Sequence, residues 1–387
     1  MLNITETLHD WCHEGRPFAL ATVIDVRGSA PLPVGTALAV DADGNAVGGV
    51  SGGCVEAAVY ELGRQVLADG AAPARVVFGY SDSDAFAAGL TCGGEIGVLV
   101  QRVEPGAQPQ LATALDAVTE GLPTAVAHVV DGPGVLVGRM LHIPAEGTHD
   151  GTLGVESEDR AVVAHARALL RAGRTGSIEV GGSGRESEDP DDGTCPRKLT
   201  VLVHVHASRP RMLIFGAVDF TAALSRAGSF LGYRVTVCDA RPVFATPARF
   251  PHADEVVTDW PHRYLAATET DARTAVCVLT HDAKFDVPLL SLALTLPVGY
   301  VGAMGSRRTH EHRVNLLRQA GVSQDQLARL HSPIGLDIGA LTPEETAISI
   351  TSEIIAHANR GTGLPLSHGV GPIHLPAQPL SGLVTAP

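Results

Sequence analysis

The sequence lacks several features that would place the protein in a large functional class. Its formal net charge is −14, with 28 Lys and Arg against 42 Asp and Glu, whereas a nucleic-acid binder without sequence preference needs a basic surface. No apolar run approaches the roughly 18 residues of a membrane-spanning helix, and the N-terminus has neither the basic nor the apolar segment of a secretory signal. We therefore predict a cytoplasmic protein that binds no nucleic acid and does not insert into a membrane.

Paired metal ligands are missing as well. The six cysteines are widely spread and none belongs to a C-x-x-C pair, which excludes zinc-finger spacing and favours free thiols in a reducing compartment. His204 and His206 alternate with apolar residues in a predicted strand at 199–206, without acidic or thiol partners nearby. That pattern predicts a half-exposed strand, and the sequence leaves any metal ligands unknown.

Glycine, in contrast, is concentrated in one segment. Four of the six residues before Cys54 are glycine, in the run GGVSGGCVE at 48–56, and a helix is predicted directly after it. A thiol at a helix N-terminus favours the thiolate and anionic ligands. Cys92, followed by two glycines, repeats the pattern before a predicted strand, so we predict that Cys54, Cys92, Gly52 and Gly53 belong to one site. The alternative, that each cysteine is a small buried apolar residue, stays open.

Polar residues near this segment are candidates for the same site. Two predicted strands joined by tight loops bring Arg27 and Ser29 towards Cys54. For Arg27 the alternative is a solvated loop cation. Glu56 either orients a group or accepts a proton there, or is an ordinary exposed acid at a helix start.

The length of 387 residues predicts two domains, or three. The pattern of elements changes near residue 208, so we predict an N-terminal domain at 1–208 and a C-terminal domain at 209–360. Residues 181–196 are rich in Gly, Ser, Glu and Asp without periodicity, which indicates a mobile loop. The Gly- and Pro-containing tail at 361–387 is predicted to be flexible.

The C-terminal domain opens with the pattern of a dinucleotide-binding β-α-β unit. A short apolar strand at 211–215 runs into Gly216 and a helix, and the next strand ends on Asp239, 23 residues after that glycine. Val218 and Thr221 stand where the second and third glycines of the fingerprint belong. The sequence therefore predicts a doubly wound parallel sheet, with close approach of a pyrophosphate hindered.

Two further loops lie at the predicted carboxyl edge of this sheet, where ligands of open α/β sheets bind. One carries His281 with Asp282. The other is a glycine-serine turn that opens a helix and suits an anionic group; its candidates are Gly305, Ser306, Arg307 and Arg308. The alternative is an arginine pair on a solvated helix start.

Together these segments resemble the XdhC/CoxI family, accessory proteins that handle the molybdenum cofactor for xanthine dehydrogenase and carbon monoxide dehydrogenase-like hydroxylases. The resemblance covers about residues 5 to 360. It is carried by residues 27–31, 52–56, 92–94, 280–282, 300–308, 332–339 and 342–345.

The resemblance implies an α/β protein, with Gly-Cys loops in the N-terminal domain and a Rossmann-like C-terminal domain. It also implies a cofactor-handling chaperone more than a catalyst, which binds molybdopterin transiently, assists its sulfuration and inserts it into a hydroxylase apoenzyme. A cysteine desulfurase is a further candidate partner, and a homodimer is expected. The cofactor-binding candidates are Cys54, Cys92, Arg27, Ser29, Gly52, Gly53, Gly216, Asp239, His281, Gly305, Ser306, Arg307 and Arg308.

The sequence departs from the family pattern at two places. The family usually has Gly-Ala-Gly-His where residues 216–219 read Gly-Ala-Val-Asp, and an arginine where Leu32 stands. Both changes remove features suited to an anion. Two other functions stay open: an NAD(P)-dependent oxidoreductase, which would use Asp239 and the pair at 281–282, and a module that docks a partner enzyme without a small ligand.

Overall fold

The computed structural model describes residues 4–28, 32–53, 55–79, 94–181 and 198–368. The chain divides into an N-terminal unit that ends at Ser208 and a C-terminal unit that begins at Arg209. The predicted mobile loop, apart from Gly181, and the tail from residue 369 lie outside the described residues. No described helix is long and apolar enough to cross a membrane.

The N-terminal unit contains two five-stranded antiparallel sheets. The first has the order β3-β2-β1-β5-β4 and the second the order β8-β7-β6-β10-β9. The strands are β1 (Phe18–Arg27), β2 (Ala37–Asp41), β3 (Ala46–Gly48), β4 (Ala74–Phe78), β5 (Glu95–Val103), β6 (Thr124–Asp131), β7 (Met140–Pro144), β8 (Asp150–Gly151), β9 (Gly176–Val180) and β10 (Leu199–His206). The helices are α1 (Thr5–His13), α2 (Glu56–Asp69), α3 (Pro109–Thr119) and α4 (Glu156–Ala172).

Apolar residues from both sheets and from two helices form one buried cluster in this unit. Leu8 of α1, Leu111 of α3, Leu20 of β1 and Val126 of β6 all belong to it. Leu8, Leu20 and Leu111 have no exposed surface. Burial of large aliphatic side chains stabilises the fold by roughly 1.5–3 kcal/mol each, so this cluster holds the two sheets together.

A layer of polar side chains is also buried between the sheets. His128 Nε2 lies 2.8 Å from Gln101 Oε1, and the rings of His128 and His204 stack with 6.4 Å between centroids. Burial lowers the pKa of His128 to about 4 and that of His204 well below its usual value. The prediction of a half-exposed strand at 199–206 is wrong at His204, because β10 is an inner strand of its sheet and this imidazole is 2% exposed.

The C-terminal unit is built on one six-stranded sheet in the order β13-β12-β11-β14-β15-β16, and every neighbouring pair is parallel. The strands are β11 (Arg211–Phe215), β12 (Arg234–Asp239), β13 (Glu255–Thr258), β14 (Ala275–Val278), β15 (Tyr300–Ala303) and β16 (Leu330–His331). The helices are α5 (Asp219–Phe230), α6 (Pro261–Ala267), α7 (Ala283–Ala293), α8 (Arg307–Gln319), α9 (Gln324–Leu327) and α10 (Pro343–Asn359).

This topology confirms the predicted Rossmann-like sheet. Residues 212–215 of β11 have no exposed surface, and the side chains of this strand belong alternately to two apolar clusters, as expected when helices cover both faces of a parallel sheet. The strand order reverses between β11 and β14. The carboxyl ends at that point are where ligands of such sheets bind.

Candidate functional site

The glycine loop before α2 is organised by the carboxylate of Glu56. Its oxygens accept hydrogen bonds from the N–H groups of Ser51 and Gly53, both at 2.8 Å, and from Ser51 Oγ at 2.5 Å. The N–H groups of Val50 and Val55 donate to it at 3.2 Å. Burial opposes ionisation, but these donors outweigh it and lower the pKa of Glu56 to about 2. Glu56 is therefore ionised and holds the loop in its conformation. Because its oxygens already accept hydrogen bonds, it is a weak proton acceptor.

The glycines of this loop are required by its backbone. Gly52 and Gly53 have φ of +76° and +124°, in the left-handed region that residues with a side chain rarely adopt. At Gly48 a Cβ would lie 2.2 Å from the carbonyl oxygen of Ala37. At Gly53 an added Cβ would meet nothing within 4 Å, so backbone conformation and not crowding selects glycine there.

Arg27 is the last residue of β1 and lies beside the start of β5. Its partner in register is Glu95, and its Nη1 lies 3.4 Å from Glu95 Oε1. Its Nε lies 3.1 Å from Asp25 Oδ2. The Arg27 side chain is 70% exposed, so it keeps access to solvent while paired.

The described residues that flank the predicted thiol site share one hydrophobic cluster. Val50 and Val55, near the Cys54 position, and Ile96, just inside β5, are buried members of this cluster. Val26, which precedes Arg27, packs against it. Cys54, Cys92 and Ser29 themselves lie outside the described residues, so their places in a shared site stay predictions.

In the C-terminal unit, Asp239 closes the turn between β11 and α5. Its Oδ2 accepts the N–H of Ala217 at 2.7 Å, and Arg241 donates to both carboxylate oxygens, at 2.9 and 2.8 Å. Burial opposes ionisation of Asp239, yet its pKa is lowered because of these hydrogen bonds. Both carboxylate oxygens of Asp239 therefore already accept hydrogen bonds from the protein, unlike those of the acid that binds a ribose in dinucleotide sites.

The same turn is unfavourable for a phosphate. Gly216 has φ of +113°, and a Cβ there would lie 3.0 Å from the backbone nitrogen of Thr280. Val218 takes the N-cap position of α5, and Thr221 Oγ1 donates to the carbonyl oxygen of Gly216. Asp219, 89% exposed and 3.5 Å from Arg249 Nη2, puts a negative charge in the first turn of α5. This acid already takes the place of an anion at the helix start.

The start of α8, in contrast, is favourable for an anion. Ser306 is its N-cap, and its Oγ accepts the N–H of Thr309 at 3.1 Å. Gly305 has φ of +152°, and a Cβ there would lie 3.1 Å from Thr309 Cβ. The first turn contains no acid, but Arg307 and Arg308 are both there and exposed. Cations at the positive end of a helix dipole are unfavourable by roughly 0.3–1 kcal/mol each, and a bound anion would remove that cost.

A buried ion pair holds three loops at this edge. Arg313 Nη2 donates to Asp286 Oδ2 at 3.0 Å and to the carbonyl oxygen of Met304 at 2.8 Å, and its Nη1 donates to Ser332 Oγ at 3.1 Å. Thr280 Oγ1 donates to the other oxygen of Asp286. Met304 follows β15, Ser332 follows β16, and Thr280 follows β14. The guanidinium therefore holds the ends of β15 and β16 directly and that of β14 through Asp286.

The loop after β14 also places the predicted pair at 281–282. Asp282 is the N-cap of α7, accepts the N–H of Lys284 at 3.1 Å and lies 2.9 Å from Lys284 Nζ. His281 beside it is exposed. Because Asp282 is held by Lys284, the pair is less suited to the acid/base role that an oxidoreductase would require.

Sequence reasoning missed Arg241, Asp286 and Arg313. The signal for Arg241 was its position two residues after a strand-ending acid, where a short turn allows a bidentate contact. Asp286 and Arg313 lie on different helices, 27 residues apart, so no local pattern joins them.

Two family models match this sequence. One describes the XdhC Rossmann domain and matches residues 212–354, and the other describes the XdhC and CoxI family and matches residues 11–79.

Known proteins are similar along most of the chain. A probable xanthine dehydrogenase subunit from Bacillus subtilis (strain 168) is 24% identical over 343 residues, which cover 88% of this chain and 93% of that protein. The molybdenum cofactor insertion chaperone PaoD from Escherichia coli (strain K12) is 24% identical over 358 residues, covering 91% and 88%. The uncharacterized protein YqeB from Escherichia coli (strain K12) is 29% identical over 247 residues, or 63% of this chain, and the match spans only 45% of that protein.

One solved structure has the same fold over nearly the whole chain. It is the crystal structure of a xanthine dehydrogenase from Bacillus halodurans, with a TM-score of 0.63 and 26% identity. The match covers 92% of this chain and 95% of the other.

Proposed function

Because the chain belongs to the XdhC and CoxI family, we propose that it binds the molybdenum cofactor and assists its sulfuration and insertion into a molybdenum hydroxylase. A hydroxylase apoenzyme of the xanthine or carbon monoxide dehydrogenase type would be the acceptor. A cysteine desulfurase is the class of enzyme that would supply the sulfur. The names of two similar proteins, one an insertion chaperone and the other part of a xanthine dehydrogenase, support this proposal.

The observation that carries the proposal is the start of α8. It combines the N–H groups of a helix N-terminus, the two exposed guanidinium groups of Arg307 and Arg308, and no acid in the first turn. The pterin of the molybdenum cofactor bears a phosphate, and arginine forks and helix N-termini are suited to phosphate oxygens. The start of α5, with Asp219 exposed and Val218 in the second glycine position, is not suited to them.

The glycine loop is the proposed contact for the metal end of the cofactor. The dithiolene-bound metal is sulfur-rich, and a thiolate is a ligand or sulfur acceptor that suits it. Glu56 orders the backbone on both sides of Cys54 through its bonds to Gly53 and Val55. Cys54 is therefore our first choice for this contact, and Cys92 is the second.

The proposal is tested by cofactor retention in thiol variants. Purified protein should bind molybdenum cofactor, and Cys54→Ala should retain less of it than the wild type does. Cys277→Ala is the matched control, because Cys277 is fully buried and burial raises its pKa to about 12. Equal retention by both variants would contradict the role of Cys54, and absence of binding by the wild type would contradict the function.

A further inference from the structure

Away from the glycine loop, two helices of the N-terminal unit bring three metal-binding side chains together. His9 and His13 lie one turn apart on α1, and Asp116 lies on α3, which packs against α1. Asp116 Oδ1 lies 3.1 Å from His9 Nε2 and 2.7 Å from His13 Nε2. From this convergence we infer that His9, His13 and Asp116 form a site for a divalent transition-metal ion of the zinc class.

The donor set matches the chemistry of such an ion. Zn²⁺ binds histidine nitrogen and carboxylate oxygen, and two histidines at i and i+4 present both rings on one face of a helix. The three candidate ligand atoms all lie within 4.8 Å of one another. Ligand atoms around a tetrahedral ion with bonds near 2.1 Å stand about 3.4 Å apart. The His13 and Asp116 atoms therefore need to separate by about 0.7 Å, and the most distant pair needs to approach by at most about 1.4 Å.

The side chains have room for this adjustment. The side chain of His13 is 55% exposed and that of Asp116 is 43% exposed. Three protein ligands leave the fourth tetrahedral position to water, as in open zinc sites. Cys12, the neighbour of His13, faces away from the site: it is 8% exposed and packs in the apolar cluster with Leu8 and Leu111.

The same side chains also have the geometry of hydrogen bonds that join α1 to α3. The structural role and the metal-binding role make different demands on His13. A structural hydrogen bond needs only a donor at that position, whereas a metal needs a lone pair on an imidazole nitrogen. His13→Gln keeps a donor and removes the ligand, so it separates the two roles without disturbing the core.

The test is a titration of the metal-free full-length protein with Zn²⁺, followed by calorimetry and by thermal unfolding. The wild type should bind one Zn²⁺ at this site and unfold at a higher temperature with the ion present. His13→Gln and Asp116→Asn should bind at least about tenfold more weakly, because even changes to groups behind metal ligands cost 10- to 100-fold. Without metal, His13→Gln should unfold close to the wild-type temperature.

His252→Gln is the matched control, since His252 is an exposed histidine of the C-terminal unit, and it should bind Zn²⁺ as the wild type does. Titration with Co²⁺ identifies the ligands, because thiolate ligands add charge-transfer absorption in the near ultraviolet and nitrogen or oxygen ligands do not. The inference is overturned if His13→Gln binds Zn²⁺ as tightly as the wild type, if the wild type binds none, or if the Co²⁺ spectrum shows only thiolate ligands.

Discussion

At the residue scale, Glu56 determines the shape of the glycine loop. Its carboxylate accepts hydrogen bonds from four backbone N–H groups and one hydroxyl. The sequence left two roles open for this acid, an exposed helix-start residue or a proton acceptor, because neither periodicity nor spacing shows a side chain folding back on its own loop. Its charge is stabilised by these backbone donors and by the Ser51 hydroxyl.

Replacing this acid should destabilise the loop. Glu56→Ala leaves several N–H groups without their acceptor, and hydrogen bonds to charged groups contribute roughly 1.5–3 kcal/mol, less where water replaces them. We expect a loss of about 1–3 kcal/mol in the free energy of unfolding, measured in urea. Glu61→Ala, which removes an exposed acid on the same helix, should change the free energy of unfolding by less than about 0.5 kcal/mol. Equal effects of the two substitutions would contradict the role of Glu56 in holding the loop.

This stabilisation should also depend on pH. The folded-state pKa of Glu56 is about 2, below the ordinary value of 4.5, so the folded protein holds the ionised form more strongly than the unfolded chain does. The contribution is complete above about pH 4.5 and declines as the pH falls towards 2. The difference in stability between wild type and Glu56→Gln should shrink over that range, and a constant difference would contradict the lowered pKa.

At the element scale, the buried layer between the sheets should make the N-terminal unit sensitive to acid. The pKa of His128 is about 4 in the folded protein and near 6.5 in the unfolded chain, so the unfolded chain binds the proton first. Stability is therefore complete above about pH 6.5 and declines as the pH falls towards 4, by about 3 kcal/mol for a shift of this size. Urea unfolding at several pH values measures it.

His128→Gln cannot titrate and keeps a donor for Gln101, so its stability should fall less steeply between pH 6.5 and 4 than that of the wild type. His252→Gln should keep the wild-type slope. Parallel slopes for His128→Gln and the wild type would show that this imidazole is not responsible.

The ion pair of Arg313 and Asp286 should contribute strongly to the stability of the C-terminal unit, because it connects the ends of three strands to α7 and α8. Removing one partner of a buried ion pair costs about 3–5 kcal/mol, so Arg313→Ala should lower the free energy of unfolding by about that amount. Arg318→Ala, which removes an exposed arginine of the same helix, should change it little. Similar unfolding curves for the two variants would refute the role of the pair.

Local patterns predicted the parallel sheet well, since β11, β12 and β14 are short apolar runs that end in glycine or polar residues. They failed where tertiary contacts decide the outcome. His204 lies in an alternating strand, but a second sheet covers its face. The capping box formed by Thr342 and Glu345 marks the start of α10, a helix that periodicity alone did not predict. The Arg313 contacts join loops that are distant in sequence.

At the scale of the whole molecule, the predicted thiol site belongs to one unit and the start of α8 to the other. We predict two contacts with the cofactor, one between its phosphate and Arg307 and Arg308, and one between its metal or sulfur end and Cys54. The two contacts differ in kind: salt screens an exposed ionic contact, whereas it has little effect on a thiol contact. Their salt dependence therefore separates them.

The most direct measurement is a titration of the purified protein with molybdenum cofactor at increasing salt concentration, using wild type, Arg307→Ala and the control Arg318→Ala. Loss of a charge-assisted phosphate contact worth about 1.5–3 kcal/mol should weaken binding by Arg307→Ala roughly 10- to 150-fold, with the largest loss at low salt. Arg318→Ala should bind as the wild type does. The account is contradicted if the wild type does not bind the cofactor, or if Arg307→Ala binds it with the affinity and salt dependence of the wild type.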